Sequence, residues 1–171
     1  MALLHLLRHA KSSRKKGVED FARPLTRRGI EAARRIGEGL PALIGELDLV
    51  LCSPARRARE TMELVLAGCR ERPRLLVENE LYLADCDTLL RRLSRLGEGD
   101  ENVLIVAHNP GMRDLALLLA ETSSPSAAAL HSGKFPTAAR ATFEVGVPWR
   151  ELGSRRHPLL AYLTPKSFGG T

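Results

Sequence analysis

Three short stretches concentrate the side chains able to do polar chemistry. Arg8-His9 follows the apolar run Leu3–Leu7. Ser53-Pro54-Ala55-Arg56-Arg57 follows Asp48–Cys52, and His108-Asn109-Pro110 follows Val103–Ala107. An imidazole can act as nucleophile or proton carrier near neutral pH. The forked donors of a guanidinium match a phosphoryl group. Two of the stretches also open a helical pattern, whose first N–H groups favour an anion. Each has a plainer reading on its own. His9 can be a structural or surface histidine, Ser53-Pro54 a helix cap with proline at the first helical position, and Arg57 a solvated cation. If the three apolar runs are parallel strands, however, both histidines and at least two arginines meet beyond their carboxyl ends. That edge is where open α/β sheets bind ligands, and this set of groups suits a phosphoryl group.

The rest of the chain reads as the scaffold for that edge. Leu3–Leu7, Asp48–Cys52, Leu75–Val77 and Val103–Ala107 are expected strands, the last with three β-branched residues in five, as in strands buried on both faces. Helical spacing predicts a helix from the Thr26 cap to about Leu40, broken at Pro41,. Further helices are expected from Ser53-Pro54 to about Ala67, over Asp85–Leu96 and over Met112–Glu121. Thr122–Pro136 is expected as a loop, and Ala141–Val147 and Leu159–Leu163 as closing strands. Strand–helix alternation implies a mainly parallel sheet with helices on both faces, a three-layer α/β sandwich. With 171 residues, no internal repeat and no linker, one domain over 1–171 is expected.

Charge narrows the choice of partner. Residues 1–35 carry ten Lys/Arg against three Asp/Glu, and the remainder carries 16 against 17. The net charge of +6 therefore belongs to the N-terminal fifth, where an anion would meet the protein. A basic nucleic-acid-binding module using residues 8–35 is the contrasting reading, but aromatics are only 4%, few for base stacking. Cys52, Cys69 and Cys86 are an odd number without metal-ligand spacing, and a reduced cytoplasmic compartment is expected,. Ala2–Leu7 is too short for a signal-peptide core, and no apolar run reaches the 18 or so residues that span a bilayer,. No GxxxxGK[ST] loop or paired-carboxylate metal site occurs, so neither cofactor nor metal is expected,.

The motifs resemble those of the histidine phosphatase superfamily, with its phosphoglycerate-mutase-like fold. Leu7-Arg8-His9-Ala10-Lys11-Ser12 is similar to its signature, Ser53–Thr61 to its second motif, and Val106–Gly111 to its third. Arg23-Pro24-Leu25-Thr26 resembles the segment between the first two. The length and Phe135-Pro136-Thr137-Ala138 point to the small phosphohistidine phosphatase subfamily. Ala10 departs from the Gly of the mutases. The resemblance implies that His9 is the nucleophile, that Arg8 and Arg57 hold the phosphoryl oxygens, and that His108 is the second pocket histidine. Arg57 takes this role over Arg56 because it immediately precedes Ala58. Arg23 is a candidate third arginine. Glu80 stands near the place of the leaving-group acid in larger relatives, and Asp20 is a weaker candidate for it.

An attacking imidazole must be neutral, and neighbouring arginines disfavour its proton. Arginines can also stabilise phosphoryl transfer without a metal. The expected activity is a metal-independent phosphatase with a phosphohistidine intermediate, acting on protein phosphohistidine. The alternatives are a phosphatase for small sugar or cofactor phosphates, or a non-catalytic module that binds phosphoproteins or nucleic acid. A monomer is expected, with no membrane and no nucleic-acid partner. Lys11, Arg14, Lys15 and Lys16 either steer an acidic phosphoprotein or form a solvated basic loop.

Overall fold

The structure is a computed structural model and describes residues 1–168. Six strands form one sheet: β1 (Ala2–Arg8), β2 (Leu49–Cys52), β3 (Arg74–Val77), β4 (Asn102–Ala107), β5 (Arg140–Val145) and β6 (Leu159–Leu163). Their order is β3-β2-β4-β1-β5-β6. The first four lie parallel, while β5 is antiparallel to both β1 and β6. This is the mainly parallel α/β architecture that the alternation implied.

Alternating side chains divide the core into two layers. Leu7, Val50, Cys52, Leu104 and Val106 face one side of the sheet. There they meet Ala33, Ile36 and Leu40 of α1 (Arg27–Ile44) and Ala58, Met62 and Val65 of α2 (Arg56–Leu66). Leu4, Leu6, Leu51, Val103 and Ile105 face the other side. Their partners include Leu89 and Leu93 of α3 (Cys86–Leu93) and Met112, Leu115 and Leu119 of α4 (Gly111–Leu119). Every one of these side chains is buried, each contributing roughly 1.5–3 kcal/mol if large and apolar. That layered burial fixes the sheet register.

The register aligns the three motifs. Leu3 pairs with Asn102 and Arg8 with Ala107, so His9 and His108 leave adjacent strands at the same level. Cys52 pairs with Val106, which puts Ser53 beside them. The segment after β1 is pressed onto the first turn of α1. The Thr26 side chain accepts from Gly29 N at 3.1 Å, and a Cβ on Gly29 would lie 2.1 Å from the Lys11 carbonyl oxygen. Only glycine allows this approach. Gly111 does the same at the start of α4, where a Cβ would lie 2.0 Å from the Ala84 carbonyl oxygen.

Several sequence expectations change. Pro41 does not end α1, which continues to Ile44. Proline removes one intrahelical bond, but the final turn buries Ile44, and Asn102 Nδ2 donates to the Ile44 carbonyl at 2.6 Å. Ser53 does not cap α2. The helix starts at Arg56, after Ala55, because the Ser53 hydroxyl is engaged elsewhere. α3 ends at Leu93, short of Leu96. The expected loop 122–136 contains α5 (Ala127–Ser132), where an alanine run of high helix propensity buries Ala127 and Leu130.

Candidate active site

His9 and His108 converge at the carboxyl edge of β1 and β4, with ring centroids 5.1 Å apart. Both side chains are buried, as is Arg57 in the first turn of α2. Hydrogen bonds define how each ring points. His9 Nδ1 lies 2.8 Å from the Ala10 carbonyl, an acceptor only, so Nδ1 carries the proton,. Its Nε2 therefore presents a lone pair to the pocket, where Arg57 Nε donates to it at 3.3 Å. Arg57 Nη2 lies 3.3 Å from His108 Nδ1, and a guanidinium can only donate,. His108 thus carries its proton on Nε2 and donates it to Ser53 Oγ at 2.6 Å. One guanidinium engages the pocket-facing nitrogens of both imidazoles.

Burial and positive neighbours keep both rings neutral. Desolvation is the main cause for His9, helped by His108, Arg57 and Arg8, and lowers its pKa to about 3 despite the Ala10 bond. Desolvation and then Arg57 lower His108 to about 4. A neutral His9 is available to attack, and the same cations that exclude its proton are aimed at an anion.

Arg57 is held from behind. Its Nη1 donates to the Asp20 carbonyl at 2.7 Å and its Nη2 to Asp20 Oδ2 at 3.1 Å. Asp20 also accepts from Arg23 Nε at 3.1 Å and from the Tyr82 hydroxyl. The Tyr82 bond, with Arg57 and Arg23 alongside, lowers the Asp20 pKa to about 2, so this carboxylate is ionised. The Tyr82 ring meets His108 edge-on at 5.7 Å and Phe21 at 5.1 Å. Arg8 donates from Nη1 to the Phe135 carbonyl at 3.1 Å, while its buried Nε has no partner among the described residues.

These groups line an open cleft of about 1000 Å³. Arg8, His9, Arg57, His108 and Arg23 all reach it. Glu80 does not. Its carboxylate is taken by Arg95 Nη2 at 2.5 Å and lies 3.7 Å from Arg92 Nε, so the expected acid faces an ion-pair network outside the cleft. Arg56 also points away, to Glu60 at 2.8 Å. Sequence reasoning missed the roles of Ser53 and Tyr82 as partners of His108 and Asp20. Among the described residues, no group of three or more His, Cys, Asp or Glu is arranged to hold a metal ion. No helix among them is long and apolar enough to cross a membrane.

Comparison with known proteins agrees with this geometry. Residues 4–82 match the family model of the histidine phosphatase superfamily (branch 1). An uncharacterized Mycobacterium tuberculosis protein is 36% identical over 162 residues, covering 94% of this chain and 100% of that one. A structure assigned as the phosphohistidine phosphatase SixA from Nakamurella multipartitia gives a TM-score of 0.83 at 26% identity, covering 96% of each chain. The protein histidine phosphatase SixA complexed with tungstate gives 0.77 at 25% identity, over 96% of this chain and 97% of that one. An α-ribazole phosphatase from Shigella flexneri gives 0.66 at 21%, covering 95% and 96%, a likeness of fold.

Proposed function

The chain belongs to the histidine phosphatase superfamily, and on that premise we propose that it is a metal-independent phosphatase acting on protein phosphohistidine through a phosphorylated His9. The observation that carries this reading is the single Arg57 guanidinium facing His9 Nε2 and His108 Nδ1 together, beside Arg8. A phosphoryl group entering the cleft would draw the Arg57 and Arg8 donors onto its oxygens. The similar SixA structure holds tungstate, an oxyanion of comparable shape.

In the first step His9 Nε2 attacks phosphorus and the bond to the leaving nitrogen breaks. In the second, water attacks the phosphoryl group on His9 and releases phosphate, restoring the free imidazole. Arg8 and Arg57 stabilise the charge on the transferring group. His108 Nδ1, freed from Arg57, takes up a proton beside the phosphate dianion and donates to it.

Among the described residues the cleft offers no protonated carboxyl group, which supports phosphohistidine as the substrate. Asp20 is ionised and committed to Arg57, and Glu80 faces away. An alkoxide needs a proton to leave. A phosphoimidazole can take its proton from solvent on the distal nitrogen before the bond breaks. The test is kcat/KM for one peptide bearing phosphohistidine and its phosphoserine counterpart, measured with and without chelator. Hydrolysis of phosphohistidine should be the faster, with chelator having no effect. An acid-labile phosphoryl group should be trapped on His9 by rapid quench and be absent from His9→Ala. Faster turnover of phosphoserine or of a sugar phosphate would overturn the substrate assignment.

A further inference from the structure

The outer cleft has a second cationic group, drawn from the part of the chain that has no basic excess. Arg113 lies in the first turn of α4 and Lys134 just after α5, and both line the cleft. Asn109 ties these two segments together. Its Nδ2 donates to the Phe135 carbonyl at 2.7 Å, and its Oδ1 accepts from Arg113 N at 3.3 Å. The Phe135 carbonyl also accepts from Arg8, so one oxygen joins the outer rim to the inner pocket. On the far side, the Tyr162 hydroxyl donates to the Lys134 carbonyl at 2.8 Å, and its ring stacks on Phe135 with centroids 5.7 Å apart. The backbone that carries Lys134 is therefore fixed from three directions before any ligand arrives.

The charges of this pair are uncommitted. Neither Arg113 nor Lys134 forms an ion pair among the described residues, whereas Arg23, Arg56, Arg57, Arg92 and Arg95 all do. Among the described residues Asp20 is the one carboxylate lining the cleft, and Arg57, Arg23 and Tyr82 share it. Lys11 and Arg14, from the segment after β1, line the cleft as well, and part of its surroundings is apolar. Leu83 lines the cleft 54% exposed with a left-handed φ of 51°, and Phe21, packed on Tyr82, is 43% exposed.

We infer that Arg113 and Lys134 form an outer subsite for a carboxylate side chain that neighbours the phosphorylated residue of a polypeptide substrate. The inference rests on the phosphatase reading and adds a substrate class to it: phosphorylated segments with acidic neighbours. A cleft of about 1000 Å³ extends well beyond one phosphoryl group and one ring. A backbone already held in place beneath unpaired cations lowers part of the cost of ordering the enzyme's side of the contact,. Charge complementarity at such a rim acts on selectivity and association rate, and salt weakens it.

The test uses the full-length protein and two phosphohistidine peptides that differ only in carrying Glu or Gln on both sides of the phosphorylated residue. Phosphoramidate and a pair of small phosphate esters, with and without a second anionic group, complete the set. At low salt the Glu peptide should have about tenfold higher kcat/KM, and the ratio should shrink in 0.5 M salt. In Arg113→Glu/Lys134→Glu the ratio should fall below one. Each ratio is taken within one protein, so partial unfolding of the variant cancels. A parent ratio near one, or a ratio that survives the charge reversal, overturns the subsite. So does a second-anion preference confined to the small esters, which would assign the cations to a small-molecule substrate. Hydrolysis of phosphoramidate with neither peptide cut would remove the protein substrate and the subsite together. No turnover of any phosphorylated compound would instead overturn the phosphatase reading itself.

Discussion

Two histidines four residues apart, His5 and His9, share almost every property usually taken to mark a functional group. Both are buried, and desolvation lowers both, His5 to about 4 and His9 to about 3. They differ in what their nitrogens face. His5 Nε2 donates to Asn102 Oδ1 at 2.7 Å, and its Nδ1 lies 3.0 Å from Thr142 Oγ1, so both are satisfied between three strands. His9 uses only Nδ1 on the backbone and turns Nε2 to Arg57 in an open cleft. Burial and a lowered pKa therefore do not separate the two. A lone pair aimed into a cationic, solvent-reached space does.

The comparison is tested most sharply by truncating each ring. His9→Ala should lose all measurable turnover of an aryl phosphate while its melting curve stays near the parent's. His5→Ala should do the reverse. Unsatisfied Asn102 and Thr142 groups cost about 1–3 kcal/mol each when buried, so its Tm should drop while kcat/KM per folded molecule stays within about threefold. Comparable loss of kcat/KM per folded molecule in His5→Ala would break the distinction.

Arginines offer the same contrast at smaller amplitude. Arg57→Ala should lower kcat by roughly 10²–10³, the cost of removing a transition-state donor. Arg56→Ala, whose side chain only pairs with Glu60 on the surface, should change it less than threefold. A larger loss in Arg56→Ala would reverse the assignment.

Acid should expose what the two histidines share. Below pH 6.5 the unfolded chain protonates His5, His9 and His108, while the folded chain keeps them neutral down to about pH 3–4. The unfolded state then binds more protons, so stability falls as pH drops from about 6.5 toward 4. His5→Gln should remove about one proton from that slope in urea titrations between pH 4.5 and 7. For the same reason, free-enzyme kcat/KM should show no acid limb near 6.5. A limb there that vanishes in a His108 variant would mean that His108 titrates at its ordinary value.

The smallest effect is expected at Glu80. Because Arg95 and Arg92 hold it outside the cleft, Glu80→Gln should alter alcohol-leaving and imidazole-leaving substrates equally, by less than about twofold. A selective loss on the alcohol would return it to the site as an acid.

Much of this was legible in the chain because it depends on local pattern. The apolar runs that became β1, β2 and β4 specify buried strands, and each is followed directly by its polar motif. Strand ends in a parallel sheet share an edge, so two histidines and at least two arginines could be placed together in advance, and the resemblance to the family chose Arg57 over Arg56,. Pro41 and Ser53 misled because their local meanings, helix break and helix cap, were overridden by Asn102 and His108, 61 and 55 residues away in sequence.

Sequence alone therefore determined which strands carry the motifs, which edge they share and which residue types meet there, since side-chain periodicity and burial decide those matters locally. Tertiary structure alone decided the orientation of each group. Asp20 and Tyr82 fix the Arg57 fork, Ala10 and Arg57 set the two tautomers, Arg92 and Arg95 remove Glu80, and Asn109 ties the start of α4 to the segment that carries Lys134. The physical reason is range. A hydrogen bond needs its partners within about 3 Å and well aligned, and for residues far apart in the chain only strand register and helix packing set that distance.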